Sequence, residues 1–422
     1  VSTQNNIKLW LASNIYLVAT AGLQLFGFII LGRALGAVEY GQILAVTVFV
    51  SLGVEFVGLG CGDSLIKNVS VDSSAYSKLI GQCIKLCLIT LVPVSVSIVT
   101  LLYFFTDTDT VFNIVLVVTE LYSVRFLALN DHSLIANSDI KRLNIIKLAY
   151  AILRLVVILI AVNIFTVESA WSWIPFQIIC SVIITSAFFA ATVKQYGGID
   201  KTSSMRLNLK ESVLFSGTQT LRALQNNVDK YAIQFGFSQI VFSLYAVAAR
   251  FLQYSLIPLQ AVLRMSYPRF FKAEKNQKNS SFWLALKLLP VVLGASLIPF
   301  IFLMWGGFIV ELMLGESYAG VSSYMSLLAP IPVLLGMQYI FMDLLTALGS
   351  HTTRLAISFV HVLSLCLYFL VGTNTEMSSL VYGFISINAI FVLCYFLAAA
   401  QKAAYSKQGL ARVEGRVEGR VE

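Results

Sequence analysis

The stretch Leu79–Phe105, "LIGQCIKLCLITLVPVSVSIVTLLYFF", holds 27 residues and one charge, Lys85. A helix crosses the hydrocarbon core of a bilayer with about 20 apolar residues, so this run is long enough to span. Lys85 lies near enough to its end to extend its ammonium to the interface. The whole chain has the same character. Of its 422 residues 58% are hydrophobic and 12% charged, where a soluble chain carries about a quarter charged residues. Most of the outer surface must therefore face something other than water. The composition argues against a soluble enzyme, a nucleic-acid reader and a disordered scaffold, and the net charge of +8 reads as loop charge beside a membrane.

Twelve such stretches lie between chain breakers or charge clusters. They run from Ile7 to Leu31, Tyr40 to Cys61, Leu79 to Phe105, Val111 to Ala136, Leu143 to Phe165 and Ser169 to Val193. The second set runs from Ser212 to Phe235, Ile240 to Leu263, Phe282 to Ile309, Val321 to Leu348, Thr353 to Val371 and Ser378 to Ala400. Pro93, Pro290, Pro299, Pro330 and Pro332 fall inside them as kinks that a bundle tolerates. The first run follows a single charge, Lys8, without a small-residue cleavage site, and reads as a retained span.

Lysine and arginine supply a second signal. With the N-terminus cytoplasmic, one side collects Lys8, Lys67, Lys78, Lys141, Arg142, Lys147, Lys194, Lys201, Arg206, Lys210, Arg264, Arg269, Lys272, Lys275, Lys278, Arg354, Lys402 and Lys407. The other side collects Glu39, Asp107, Asp109, Glu168, Glu311, Glu316 and Glu376, with Arg33 as its basic residue. The fold expected is an all-α integral membrane protein with twelve transmembrane helices, both termini cytoplasmic. The polar connection 196–211 divides it into a bundle at 1–195 and a bundle at 212–405, and "RVEGRVEGRVE" (Arg412–Glu422) closes a low-complexity tail at 406–422. "EYGQILAV" (Glu39–Val46) and "SLYAVAAR" (Ser243–Arg250) form a weak echo between the halves, of the kind transporters built from repeats show.

Charges near the middle of a span are costly and mark function or pairing. Arg125, Arg154, Arg222 and Arg250 each lie roughly a dozen residues from a cytoplasmic end, about 18 Å at the helical rise. Lys230 joins them, against Glu55, Glu120 and Asp229: five positive and three negative, a net of +2. Pairing would make some of these structural; the count still leaves positive charge over. In the seventh span Gln219, Arg222, Asn226 and Asp229 recur at three- and four-residue steps, one helix face. With Arg250 and Gln253 on the next span, that stripe favours a hydrated cavity over lipid. Asn14 and Gln24 give the first span a weaker polarity that helix packing explains almost as well. An arginine-rich cavity suits an anion whose oxygens match forked guanidinium donors, a diphosphate above all.

Other chemistry is thin. Cys61, Cys83, Cys87, Cys180, Cys366 and Cys394 read as small buried apolar residues; Cys83 and Cys87 share a helix face, but no nearby ligand completes a zinc site. His132, His351 and His361 have no second ligand close in sequence. No metal or cofactor is expected, and no Walker motif or paired nucleophile and base occurs.

Five strings carry a resemblance. "LGRALGAVEYG" (Leu31–Gly41), "NNVDKYAIQFGFSQIVFSLYAVAARF" (Asn226–Phe251), "YPRFFKAEK" (Tyr267–Lys275) and "MLGESYAG" (Met313–Gly320) followed by "LLTALGSHTTR" (Leu344–Arg354) resemble, in order and spacing, Wzx-type O-antigen and polysaccharide flippases. These belong to the multidrug/oligosaccharidyl-lipid/polysaccharide (MOP) exporter superfamily. The resemblance covers about Ile7 to Lys407. It implies two six-helix bundles in a V, in a bacterial inner (cytoplasmic) membrane, moving undecaprenyl-diphosphate-linked oligosaccharide to the periplasmic leaflet with coupling to H+ or Na+. On that reading Arg125, Arg154, Arg222, Lys230, Arg250, Gln219 and Asn226 bind substrate and Asp229, Glu120 or Glu55 exchanges the ion. Its partners are the lipid-linked oligosaccharide, the bilayer, a polysaccharide polymerase and a chain-length regulator, with no nucleic acid. Arg33 and Gly36 match the family string, though a helix-ending turn explains them equally well.

Three alternatives stay open. A MATE-like drug or cation antiporter would favour an acidic, aromatic cavity. An exporter of the peptidoglycan precursor would be expected to have fourteen spans. A membrane-embedded polymerase or ligase would carry a large periplasmic loop, whereas the outer connections here reach only about ten to fifteen residues, an ordinary short-loop length.

Overall fold

The computed structural model describes residues 3–106, 108–200, 209–275, 280–372 and 376–418. Half of the 196–211 connection, residues 201–208, and the last four residues of the tail lie outside them. The described residues are mostly helical, and the long helices are apolar on the outside. In α3 (Ala75–Phe105) the outward residues are Leu88, Ile89, Val92 and Val96, while Cys83, Cys87, Leu91 and Ile98 turn inward. A water-soluble helix would show the reverse pattern. Ten helices among the described residues are long and apolar enough to cross a membrane.

Ten rather than the expected twelve has two physical causes. α1 (Thr3–Gly53) runs from the first stretch into the second without a loop, interrupted only at Gly36 with φ 74° and ψ 171°, and ends at Gly53, short of the Cys61 limit expected for the second stretch. Its apolar part, Asn14–Gly53, is a single 40-residue candidate. Gly36 is the residue type that adopts this backbone without steric cost. The seventh stretch forms α8 (Leu209–Gly236), 28 residues and long enough, but the polar stripe lowers its hydropathy below that of a span.

The chain forms two compact units. The first comprises Val1–Ala246 with Leu312–Ala319. In it α1 is followed by α2 (Cys61–Val71), α3, α4 (Thr110–Ala136), α5 (Ile140–Asn163), α6 (Ala170–Ile178), a π-helical turn (Ile179–Ile184), α7 (Thr185–Gln195), α8 and the start of α9 (Gln239–Ser255). Asp109 and Asp139 cap α4 and α5 by accepting from the amides of Val111 and Arg142, and Ser169 and Ser172 form a reciprocal capping box on α6, supplying partners for otherwise orphaned helix-start amides. α1 packs along α5, α4 and α8, and α4 along α2, α3 and α7, so α4 is central.

The second unit comprises Val247–Glu311 with Gly320–Glu422. It contains the rest of α9, then α10 (Ile257–Lys275), α11 (Ser280–Trp305) and α12 (Gly307–Leu314), whose last turn belongs to the first unit. α13 (Val321–Leu328), α14 (Ile331–Ala347), α15 (His351–Gly372) and α16 (Met377–Glu418) follow. Leu259, Phe270, Val292, Ile340, Leu344 and Tyr395 form its buried centre. The tenth stretch is divided at Pro330, which begins α14, because proline cannot donate the amide that would continue α13. The "RVEG" repeat continues α16 as far as Glu418.

Candidate functional site

The first unit breaks its helical order where α1 ends and α2 begins. Val54–Gly60, "VEFVGLG", contains three consecutive positive φ angles: Gly58 at 75°, Leu59 at 44° and Gly60 at 72°. Leu59 is the costly one, because a branched side chain at positive φ stores strain of about 1–3 kcal/mol. Non-helical backbone at membrane depth persists only where protein buries it or water lines it. Here the Gly58 amide donates to Thr90 Oγ1 of α3 at 2.7 Å, and the Glu55 carbonyl accepts from Ser216 Oγ of α8.

Arg125 reaches this break from α4. Its Nη2 lies 3.4 Å from Cys61 Sγ, and a Cβ on Gly58 would stand 2.9 Å from Nη2 and 3.0 Å from Nε. The guanidinium therefore rests on backbone that only glycine leaves open. Arg125 is 5% exposed, and its Nε has no hydrogen-bond partner, nor do the side-chain amide atoms of nearby-in-sequence Asn130. Glu55 is close enough to interact electrostatically with Arg125, Asp63 and Arg222. The fold thus joins three of the residues singled out in the sequence, Glu55, Arg125 and Arg222, from three elements, and adds Asp63 on α2. Arg222 is exposed, as are Gln219 and Asn226 on the same side of α8, whereas Asp229 turns inward.

A second polar group surrounds Glu120, also on α4. Gln177 donates its amide to Glu120 Oε1 and, at 2.8 Å, to Ser181 Oγ, while accepting from Trp173 Nε1 at 3.1 Å. Trp173, Gln177 and Ser181 follow at four-residue steps, one helix face. Ser181 sits in the π-helical turn, a wider coil that places one extra residue in the helix and recurs at functional sites. Arg154 of α5 interacts electrostatically with Tyr150, Glu120, Cys180 and Tyr40. Glu120 is buried; Arg154 is part-exposed.

The third group is an ion pair. Lys230 Nζ stands 3.4 Å from Asp229 Oδ1 and donates to the Asn226 carbonyl at 2.7 Å. Tyr245 donates its hydroxyl to Asp229 Oδ2 at 2.6 Å. Both charges are buried, at 6% and 7% exposure, a setting in which a carboxylate and an ammonium need each other. Lys230 and Asp229, assigned different roles from the sequence, are partners. Among the described residues Lys230 is the one member of the five buried or intramembrane cations that forms an ion pair within 4.0 Å; Arg125, Arg154, Arg222 and Arg250 form none. In the second unit Arg250 Nη1 donates to Gln253 Oε1 at 3.4 Å.

Sequence reading did not find Gln177, Ser181, Asp63 or Tyr245. The first two carried a signal, the four-residue spacing from Trp173; Asp63 and Tyr245 carried none, because their roles depend on which helices meet. No group of three or more His, Cys, Asp or Glu residues able to hold a metal ion occurs among the described residues.

The sequence pattern of a family described as "Polysaccharide biosynthesis protein" matches residues 30–323. No curated protein matches the chain. Among solved structures, it is similar to an inward-facing multidrug resistance MATE family transporter of the MOP superfamily, with a TM-score of 0.72 at 14% identity over 94% of this chain and 96% of the other. An outward-facing structure of such a transporter gives 0.65 at 14% identity over 95% and 96%. A MOP superfamily transporter from Pyrococcus furiosus, described by the reverse polarity of its binding pocket, gives 0.65 at 15% identity over 95% and 96%. The apolar helices, the charged groups held among them and the likeness to transporters of one superfamily agree with the sequence pattern: this multi-pass membrane protein has the MOP transporter fold and belongs to the polysaccharide biosynthesis protein family.

Proposed function

We propose that the protein is a flippase that carries undecaprenyl-diphosphate-linked oligosaccharide, an O-antigen or related repeat unit, from the cytoplasmic to the periplasmic leaflet of a bacterial inner membrane by alternating access. The observation that carries this reading is the set of arginines without ion-pair partners, set against the neighbouring Lys230–Asp229 pair. Arg125 is buried with no carboxylate paired against it, a guanidinium poised for an anion, and the forked donors of these arginines match diphosphate oxygens. Arg125, Arg154 and Arg222 are assigned to the diphosphate or to acidic sugar, with Arg250 in the same role in the second unit and Gln219 and Asn226 as sugar contacts. Glu55 and Glu120, each in the field of one or more of these arginines, are assigned the coupling H+ or Na+, and Asp229 is retained as a third candidate.

The proposal takes twelve crossings, six on either side of the 196–211 connection, with both termini cytoplasmic. Gly36 divides α1 into two crossings, and α8 at 28 residues is about 42 Å long, enough to cross while presenting its polar stripe to a hydrated path. Family membership in polysaccharide biosynthesis supports a lipid-linked sugar over a drug. The Pyrococcus furiosus transporter, described with a binding pocket of reverse polarity and a different function, supports the view that the fold is not tied to one pocket charge.

The test is the sidedness and length of the lipid-linked glycan in cells lacking the protein, read by mass spectrometry and a membrane-impermeant sugar oxidant. Single repeat units protected on the cytoplasmic leaflet are expected. Single units already reactive from the periplasmic side would overturn the proposal and point to polymerisation or to another substrate.

A further inference from the structure

The break between α1 and α2 gathers three thiols that the linear sequence keeps apart. Cys61 is the first residue of α2, Cys83 and Cys87 lie one turn apart on α3, and all three are 0% exposed. Cys61 Sγ stands 3.8 Å from Cys87 Sγ. Cys83 meets Cys61 differently: its sulfur is 3.7 Å from the Cys61 carbonyl, and the Cys61 sulfur is 4.0 Å from the Cys83 carbonyl. The geometry therefore pairs Cys61 with Cys87.

We propose that Cys61 and Cys87 form a reversible disulfide that locks the broken segment Val54–Gly60 to α3. A disulfide needs its sulfurs about 2.05 Å apart, so the pair must close by about 1.8 Å. The residues next to Cys61 can supply that movement, because Gly58 and Gly60 flank the single strained residue Leu59. The Gly58 amide already anchors the segment to Thr90 of α3. Arg125 Nη2, 3.4 Å from Cys61 Sγ, and the start of α2 both stabilise negative charge on that sulfur as it attacks.

With a peroxide as oxidant, the electrons balance as follows. Cys61 sulfur attacks one peroxide oxygen, the O–O bond breaks and a sulfenic acid and water form; Cys87 sulfur then attacks the sulfenic sulfur and expels a second water. Two thiols and one peroxide give one disulfide and two waters. Peroxide is small and uncharged, so it reaches a site that excludes bulky or charged reagents. Once formed, the bond holds the segment that carries Glu55 and the sulfur that faces Arg125, and the break can no longer rearrange.

The full-length protein in native membranes is exposed to hydrogen peroxide or to diamide, blocked with N-ethylmaleimide, digested and mapped by mass spectrometry. A peptide linking Cys61 to Cys87 is expected in the wild type and in Cys83→Ser, and absent from Cys61→Ser and Cys87→Ser. The melting temperature of the oxidised wild type rises and returns with dithiothreitol, and glycan export falls at least tenfold on oxidation but stays within twofold in Cys87→Ser. No linked peptide, or a link to Cys83, overturns the pairing. A linked peptide with unchanged melting temperature and export overturns the lock. The peptide map and the melt are independent of the substrate, so their failure is distinct from failure of the flippase reading.

Discussion

Tyr245 donates to Asp229 Oδ2 at 2.6 Å while Lys230 holds the other oxygen of the same carboxylate at 3.4 Å. Asp229 therefore has both oxygens engaged in the described fold, and any role in exchanging an ion requires these bonds to open. Removing one partner of a buried pair leaves the other charge uncompensated, at a cost of about 3–5 kcal/mol. Asp229→Asn is expected to lower the abundance of folded protein strongly. Tyr245→Phe, which removes one hydrogen bond to a charged group, costs about 1.5–3 kcal/mol. Thermal melts of the purified variants, with export under an imposed ion gradient, check both. Asp229→Asn with normal stability and an altered gradient response would make it a coupling residue after all.

Arg154 and Arg222 serve the diphosphate in the proposed reading. Replacement of either by Lys keeps the charge and loses the fork, so partial export is expected. Replacement by Ala abolishes export with protein abundance intact. Quantitative immunoblots beside the glycan assay separate the cases, because loss of the protein itself in both Ala variants means structural arginines.

Gly58→Ala puts a methyl against Arg125 and Cys87 at a φ of 75°. Backbone strain of this kind costs about 1–3 kcal/mol, and the guanidinium must also move. A marked fall in melting temperature and in export is expected. Gly22→Ala is the control: nothing lies within 4 Å of its added carbon, and a helical glycine replaced by alanine is neutral or stabilised.

Glu311 caps α13 across the α12–α13 connection. Its Oε1 accepts from the amides of Gly320 and Ser322 at 2.9 Å each and from Ser322 Oγ at 2.6 Å. Partial burial raises its pKa, but the bonds from Ser322 and Gly320 outweigh it and hold the carboxyl below the usual range. A depressed carboxylate adds stability above its unfolded pKa of about 4.3 and loses it as pH falls through the folded value. Melting temperatures between pH 3 and 7 are expected to fall at the acid end in the wild type, and to fall less there in Glu311→Gln.

Much of this was readable before the fold was known. The apolar runs set the helices because a bilayer imposes one length on all of them, and the charged residues the structure gathers around α4 and α8 stood out because each lies in a run where charge is costly. Two features did not follow from the apolar runs alone. The loop sought between the first two runs is a single residue, Gly36, and the polar stripe that made α8 informative also kept it below the hydropathy of a span. The Lys230–Asp229 pair was hidden because adjacent residues on a helix do not face each other by spacing alone; a flexible lysine stem closes the gap. Cys61 looked like apolar filler because its neighbours are 22 and 26 residues away, across a break that "VGLG" hints at but does not locate.

The unbroken passage of α1 through Gly36 has a consequence, on the proposed twelve-crossing reading, for how the chain enters a membrane. A 51-residue helix would measure about 76 Å if straight, against about 30 Å of hydrocarbon. On that reading the first two crossings have no slack between them, and the insertion machinery must accept them as one hairpin. An epitope tag or protease site placed between Leu35 and Tyr40 has no loop to occupy, whereas one placed beyond the buried core of α16 leaves the hairpin intact.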